Sequence, residues 1–342
     1  MNSFEKINQN NQLSGIIRTY PYDFQVDEIP VFEPSGQGEH VFLHIKKTGE
    51  NTEWVAGQLA KIAGVARRDV SYAGMKDRNA VTTQWFSVWM PGREAPNWQA
   101  DLPDSIEVLD ENRHDRKLKR GTLKGNRFKI TIRNFVGVEK ELKASVNRIV
   151  EQGVPNYFGK QRFGRISADQ EYGYNVQSAE QWFKGEFKVK NRQKRSIYLS
   201  AARSWIFNHM LSERVKDSTW NQAVQGDVFM LEGTKSVFND TVDDEIIRRV
   251  DQQEIHPTGV LWGKGELLSQ GHIAELENRV AKQFAILCNG LEKHGLKQER
   301  RALRLRVSDL NYTLEGSDVV CLNFSLPVGT YATSLLAEIG EF

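Results

Sequence analysis

The sequence predicts an α+β protein with a mixed, mostly antiparallel sheet, interrupted by a separate α/β insertion. Strand patterns dominate the chain up to about residue 135, helical periodicity dominates the middle, and strand patterns return after about residue 300. This order is typical of one domain inserted into another. We therefore predict a first domain over 1–152, an insertion over 153–301 and a segment over 302–342 that completes the first domain.

The strands of the first domain follow from alternation of apolar and polar residues. His40–Lys46 places Val41, Leu43 and Ile45 on one face. The other predicted extended segments are Gly15–Phe24 and Phe24–Phe32, which are separated near Pro21, then Val81–Val88, Ile106–Leu109 and Phe128–Arg133. Strands are also expected over Arg301–Val307 and Val319–Leu326.

The helices follow from capping residues and a period of 3.6. Asn51 is expected to cap a helix that Gly64 ends, and Ser200 is expected to cap a helix reaching about Val215. The remaining predicted helices are Val138–Gln152, Asp244–Gln253, Ile273–Leu287 and Thr333–Ile339, and Val154–Arg165 is predicted to be an ordered loop.

Composition excludes several classes of protein. The 342 residues carry 46 Lys+Arg and 44 Asp+Glu, a net charge of +2, with 39% hydrophobic residues, which is ordinary for a globular protein. No apolar run reaches the roughly 18 residues of a membrane span, and the polar segment 1–14 lacks a secretory apolar core. The two cysteines, Cys288 and Cys321, form no CxxC pair, so we expect a cytoplasmic protein without a metal cluster.

The positive charges are clustered although the net charge is small. The three clusters cover 113–133, 184–195 and 297–306, and aromatic residues such as Phe128, Tyr157, Phe158, Trp182 and Phe187 lie in or near them. One cluster alone is most simply a solvated face, whereas three with aromatic neighbours favour a nucleic-acid partner.

Three short segments are candidates for chemistry. In Ser71–Asn79, Asp77 lies between Lys76 and Arg78, and neighbouring cations favour an ionised carboxylate of the kind that nucleophilic or electrostatic catalysis requires. Gly121–Phe128 combines glycines, lysine and Asn126, which suits a phosphate or a base edge or, equally, a basic hairpin turn. Pro327–Ser334 contains Tyr331, either a core aromatic or a stacking surface.

The order of these segments resembles the tRNA pseudouridine synthase D (TruD) family over nearly the whole chain. The stretches that carry the resemblance are PYDFQVDEI, GEHVFLHIKKTGENT, SYAGMKDRNAVTTQW, LKRGTLKGNRF, GVPNYFGKQRFG, KRSIYLSAARSWIFN and LPVGTYATS. The resemblance implies a pseudouridine synthase fold with a family-specific insertion domain. It also implies a cofactor-free isomerase that converts uridine 13 of tRNA to pseudouridine, and we expect a monomer without a metal.

The resemblance also assigns site residues. It implies that Asp77 is the catalytic aspartate and that Lys76 is the adjacent catalytic cation. The substrate-binding positions it implies are Phe24, Asn126 and Tyr331, with Phe128 beside the active site and Arg18 near the aspartate. Relatives can carry Phe at position 331, so the hydroxyl of Tyr331 requires a partner.

Three other functions fit parts of the pattern. An RNA-binding protein without catalysis would keep the clusters and aromatics but would not need Asp77. A nucleoside or glycan hydrolase would require a second carboxylate near Asp77, and none flanks it in the sequence. His40 and His44 share a strand face and could suggest a metal, although such pairs are usually packing or surface residues.

Overall fold

The computed structural model describes residues 4–8, 12–165 and 173–342. The strands in this part of the chain are β1 (Ser14–Ile17), β2 (Phe24–Ile29), β3 (His40–Thr48), β4 (Val70–Tyr72), β5 (Val81–Trp89), β6 (Ile106–His114), β7 (Gly125–Val136), β8 (Val154–Pro155), β9 (Val228–Leu231), β10 (Val237–Asn239), β11 (Ile255–Leu261), β12 (Glu299–Ala302), β13 (Arg304–Leu305), β14 (Ser308–Glu315) and β15 (Val319–Pro327).

The α-helices in the same ranges are α1 (Thr52–Ala63), α2 (Trp98–Asp101), α3 (Glu139–Gln152), α4 (Tyr174–Lys184), α5 (Arg192–Lys216), α6 (Asp244–Asp251), α7 (Gly271–Gln283), α8 (Ala285–Lys293) and α9 (Ala332–Ile339). Short 3₁₀ turns cover Pro21–Asp23, Arg67–Asp69 and Lys160–Arg162.

The chain divides into two compact units, which we call the sheet unit and the helical unit. The sheet unit comprises Gln12–Leu142, Val307–Gly329 and Gly340–Phe342. The helical unit comprises Met1–Asn11, Lys143–Arg306 and Thr330–Ile339. The predicted division into a catalytic domain and a family-specific insertion concerns the role of each part and stays a prediction.

The sheet unit is built on one nine-stranded sheet. Its order is β14-β15-β7-β2-β5-β3-β6, with β1 added on β7 and β4 on β5. The β2–β5 pair is parallel and the other pairs are antiparallel, which confirms the predicted mixed, mostly antiparallel sheet. Val41, Leu43 and Ile45 lie on the face that packs against Val55 and Leu59 of α1, as their alternation predicts.

The helical unit combines a four-stranded sheet, in the order β10-β9-β11-β12, with packed helices. One core cluster of this unit joins α4, α5, α7 and α8 around apolar residues such as Trp205 and Leu291. The core depends on burial of large side chains, and each contributes about 1.5–3 kcal/mol.

Two predicted helices differ from those in the structure. α5 begins eight residues before Ser200, because the run after Asn191 consists largely of good helix formers, and the Asn191 side chain accepts from the Lys194 amide at 3.0 Å. The predicted Ile273–Leu287 helix is two helices. Phe284 separates them in a non-helical conformation, and its ring packs against His209.

Two further expectations are also corrected. Asn51 does occupy the N-cap position of α1, but its side chain makes no capping hydrogen bond. The predicted Arg301–Val307 strand is the end of β12 followed by β13, which pair with different partners, β11 and β8.

Candidate active site

Asp77 lies in the turn between β4 and β5, and buried side chains fix the backbone of that turn. Gln84 donates from Nε2 to the Gly74 carbonyl at 3.0 Å. The Lys76 amide donates to Oγ1 of Thr52 at 3.0 Å, and that hydroxyl donates to Gln84 at 2.9 Å. Because Gln84 and Thr52 are buried, this network holds the turn before Asp77 in one conformation.

Lys47 holds the same turn at Asp77 itself. Its ammonium donates to the Asp77 carbonyl at 2.9 Å and to the Glu50 carbonyl at 2.6 Å, and the residue is fully buried. Burial lowers the pKa of Lys47 to about 8, against the opposing effect of the Asp77 carboxylate. The sequence analysis missed this residue. Its signal was a lysine at the inward-facing position that follows Val41, Leu43 and Ile45 on β3.

The carboxylate of Asp77 is half-exposed and paired with a cation. Nη2 of Arg18 lies 2.8 Å from Oδ2, and the Asn79 amide donates to Oδ1 at 3.1 Å. The side chain of Asp77 remains 36% exposed, so a substrate can reach it. Arg18 is therefore the partner cation of the aspartate, near which the sequence analysis expected it.

Arg18 adopts a backbone conformation that most residues avoid. Its φ is 62°, and its guanidinium carbon lies 4.1 Å from the centroid of the Phe24 ring. A non-glycine residue in this region costs about 1–3 kcal/mol, and such strain concentrates at functional sites. The ion pair and the cation–π contact together fix the guanidinium against Asp77.

The segment that presents Arg18 is anchored by a second ion pair. The Asp23 carboxylate is fully buried and accepts from Nε and Nη2 of Arg133 at 2.8–3.0 Å. It also accepts from the Tyr20 amide at 2.9 Å. Bidentate pairing fixes both position and orientation, so residues between Arg18 and Phe24 have little freedom to move.

Lys76 does not contact the carboxylate of Asp77. Its ammonium binds Oε2 of Glu28 at 2.7 Å, and both side chains are almost completely buried. Neighbouring side chains in the extended turn point in different directions, which separates Lys76 from the aspartate. The predicted catalytic role of Lys76 stays a prediction, and its contact with Glu28 favours an indirect one.

Asn126 lies on β7, directly opposite Glu28 of β2. Within the described part of the chain, its side-chain oxygen Oδ1 is buried and has no hydrogen-bond partner. A buried acceptor without a protein partner is costly unless a ligand or a water molecule donates to it. This observation supports the predicted substrate-binding role of Asn126.

Phe24 and Phe128 form an apolar wall beside these groups. They are 4% and 8% exposed, and their rings meet edge to face with centroids 6.2 Å apart. Phe128 also stacks on Phe324 at 5.1 Å. Neighbouring rings and Arg18 cover the faces of the Phe24 and Phe128 rings. These two residues therefore form part of the packing around the site and do not present an open stacking surface.

Tyr331 belongs to the helical unit. Its hydroxyl accepts from Arg162 at 2.6 Å and 3.1 Å, and its ring lies edge to face with Phe158. Arg162 donates as well to Ser200 at 2.7 Å. The hydroxyl has the partner that the sequence analysis required. Arg162 was not singled out there, although it lies in the NYFGKQRFG stretch that carries the resemblance.

In the described ranges, no helix combines the length and the apolar character that crossing a membrane requires. No group of three or more His, Cys, Asp or Glu residues there has the arrangement of a metal site.

Comparison with known proteins identifies the relatives of this chain. A family model described as "tRNA pseudouridine synthase D (TruD)" matches residues 2–178 and 174–339. The tRNA pseudouridine synthase D of Methylococcus capsulatus is 51% identical over 329 residues, which cover 96% of this chain and 91% of that protein. The protein of the same name from Hydrogenovibrio crunogenus is 42% identical over 329 residues, covering 96% and 93%.

The fold has a solved counterpart. The crystal structure of a candidate tRNA pseudouridine synthase D from Methanosarcina mazei matches with a TM-score of 0.75 and 21% identity, covering 98% of this chain and 95% of that one. At this identity the match concerns the fold, and it confirms the predicted fold class. The family model and the two relatives extend over nearly the entire chain, and the chain therefore belongs to the tRNA pseudouridine synthase D (TruD) family.

Proposed function

We propose that this chain, as a tRNA pseudouridine synthase, converts uridine 13 of tRNA to pseudouridine with Asp77 as the catalytic carboxylate. The observation that carries the assignment to Asp77 is its geometry. The carboxylate is half-exposed and paired with Arg18 at 2.8 Å, in a turn that Thr52, Gln84 and Lys47 hold from within. Such preorganisation is what electrostatic and nucleophilic catalysis requires.

The reaction rearranges bonds within one nucleotide. The N1–C1′ glycosidic bond breaks, the uracil rotates, and a C5–C1′ bond forms; C5 then loses its hydrogen to water and N1 is protonated. Asp77 could attack C1′, add at C6 or abstract a sugar proton, and the site is compatible with each route. No cofactor takes part in this proposal.

The target base must leave the stack before Asp77 can reach it. Unstacking costs a few kcal/mol, which contacts in the pocket must offset. We assign the unpartnered Oδ1 of Asn126 to the N3–H of uracil, because that oxygen is an acceptor and the imide group is a donor. Phe24 and Phe128 are proposed to pack beside the base, Tyr331 is proposed as a separate substrate contact, and Arg18 is proposed to hold the Asp77 carboxylate in position.

The alternatives have less support at this site. A hydrolase with paired carboxylates would use Glu28 as its second acid, but Lys76 neutralises Glu28 and the Trp85 amide donates to it at 3.3 Å. An RNA-binding protein without catalysis would have no use for an anchored, half-exposed Asp77. A monomeric protein acting in the cytoplasm remains our proposal for the state and location of the enzyme.

The proposed function is tested by tritium release. tRNA transcripts labelled with tritium at C5 of uridine are incubated with the protein, and the released label is counted. One equivalent released per tRNA, with pseudouridine mapped to position 13 by chemical modification and primer extension, is the expected result. No release from tRNA that the protein binds would refute the proposal, and release from a different position would refute its uridine 13 part.

A further inference from the structure

A groove in the helical unit has no part in the proposed chemistry. It has a volume of about 520 Å³ and lies between α4 and the beginning of α5, where the loop joining the two helices forms one side. That volume is within the roughly 300–1,000 Å³ of ordinary ligand pockets. The groove contains part of the second basic cluster of the sequence, 184–195, which has no role in the candidate active site.

The charged residues in the described lining of the groove are all positive. Lys188, Lys190 and Lys194 line it, all three are exposed, and no acidic residue is among its described lining. Within the described residues, these three side chains make no ion pair, whereas nearby Lys184 is paired with Glu180 at 2.7 Å. Three exposed lysines without acidic partners generate a local positive potential that attracts an anion.

The groove also carries aromatic side chains. Tyr174 is 55% exposed and Phe187 is 38% exposed. Tyr198 also lines the groove and is buried. Large aromatic surfaces left in water beside lysines suit a ligand with both flat and negatively charged parts.

We propose that this groove binds a nucleotide segment of the tRNA outside the target uridine, with its phosphates on Lys188, Lys190 and Lys194 and an unstacked base on Phe187. The inference rests on the proposed function, since it assigns to the same substrate a second site of contact. A simple inorganic anion would explain the lysines, but it would leave the exposed aromatic rings without a role. Single-stranded nucleic acid binds both lysines, through its phosphates, and aromatic rings, through its bases.

The test compares two triple variants of the full chain. In the groove variant, Lys188, Lys190 and Lys194 are each replaced with Gln. In the control variant the same replacement is made at Lys235, Lys264 and Lys282, which are exposed in the same unit and do not line the groove. Both variants lose three positive charges, so general attraction to RNA changes equally.

The expected result is specific to the groove. The Kd of the groove variant for tRNA rises about tenfold or more at physiological salt. For the groove variant, the slope of the logarithm of the association constant against the logarithm of the salt concentration becomes shallower by about 0.7–0.9 for each lost phosphate contact. The Kd and the slope of the control variant stay close to those of wild type. With tRNA in excess, kcat is retained and KM rises. Equal changes in both variants, or no change in the groove variant, would overturn the inference.

The aromatic part is tested separately. Phe187→Leu keeps apolar volume but loses the flat ring, and Phe187→Tyr keeps the ring. We expect Phe187→Leu to weaken tRNA binding about fivefold or more and Phe187→Tyr to bind like wild type. Equal binding by the two variants would overturn the stacking contact. Wild-type tritium release, measured on the same tRNA, separates the outcomes: its absence counts against the proposed function, whereas its presence with an unaffected groove variant counts against the groove alone.

Discussion

At the scale of single residues, buried charged side chains with hydrogen-bond partners surround the candidate site. The side chains of four charged residues are buried, yet each has an oppositely charged group or a carbonyl within hydrogen-bond distance: Lys47, Lys76, Glu28 and Asp23. Asp77 is the half-exposed exception beside them. Buried pairs contribute little net stability, but breaking one leaves an uncompensated charge. These pairs therefore fix the position of the aspartate more than they stabilise the fold.

Arg18 is expected to hold the Asp77 carboxylate in the position that catalysis requires. Replacing Arg18 with Met removes the guanidinium 2.8 Å from the carboxylate, and we expect kcat to fall roughly a hundredfold. Arg18→Lys retains the charge and should recover part of the loss. Single-turnover kinetics on labelled tRNA measure both variants, and equal rates for Arg18→Met and wild type would remove Arg18 from the mechanism.

Lys47 gives a prediction for stability against pH. Its pKa is about 8 in the folded chain and near 10.5 when unfolded, so between these values the unfolded state binds more protons. The free energy of unfolding of wild type should therefore rise with pH over this window, relative to Lys47→Met. The slope of the difference is at most about 1.4 kcal/mol per pH unit. Urea titrations from pH 7 to 10.5 measure it; a difference that stays flat would mean that Lys47 keeps an ordinary pKa.

At the scale of elements, two glycines in the candidate segments have different roles. A Cβ on Gly74 would meet only the Lys76 ammonium, at 3.6 Å, which is an ordinary contact. A Cβ on Gly125 would come within 2.4 Å of the Leu326 carbonyl oxygen, because β7 and β15 pair closely there. Gly74 lies just before Asp77, but side chains, rather than that glycine, hold the turn.

The different surroundings of Gly74 and Gly125 predict different effects of replacing each with Ala. Gly74→Ala should leave the free energy of unfolding and kcat near those of wild type. Gly125→Ala should cost about 2 kcal/mol or more, because backbone atoms cannot give way as a flexible side chain can. Thermal and urea unfolding compare the two variants. A Gly125→Ala protein as stable as wild type would show that the two strands separate more easily than their pairing indicates.

The elements also show which features the sequence could predict. β3, β5 and α1 were predictable, because alternation, β-branched residues and the Gly64 stop signal agree locally with the fold. The start of α5 was not, since polar residues such as Arg192 and Lys194 carry no apolar period before Tyr198. The β2–β5 pairing and the Lys76–Glu28 contact join residues far apart in the chain, and a single sequence does not display such contacts.

At the scale of the whole molecule, the candidate site residues come from segments distributed along the chain. Arg18, Asp77 and Asn126 belong to the sheet unit and Tyr331 to the helical unit. The resemblance could name these positions because motifs keep their order in the family. Lys47, Asp23 and Arg162 also lie in the stretches that carry the resemblance, but it did not single them out, because their roles depend on hydrogen bonds visible only in three dimensions.

The central claim is that Asp77 is the group that carries out the chemistry, and a single comparison tests it most directly. Asp77→Asn keeps the shape of the side chain and removes its negative charge. We expect this variant to bind tRNA with wild-type affinity and to melt at the wild-type temperature. We also expect it to release no tritium from C5-labelled uridine above background, while wild type releases one equivalent at position 13. Near-normal release by a folded Asp77→Asn protein would contradict the account.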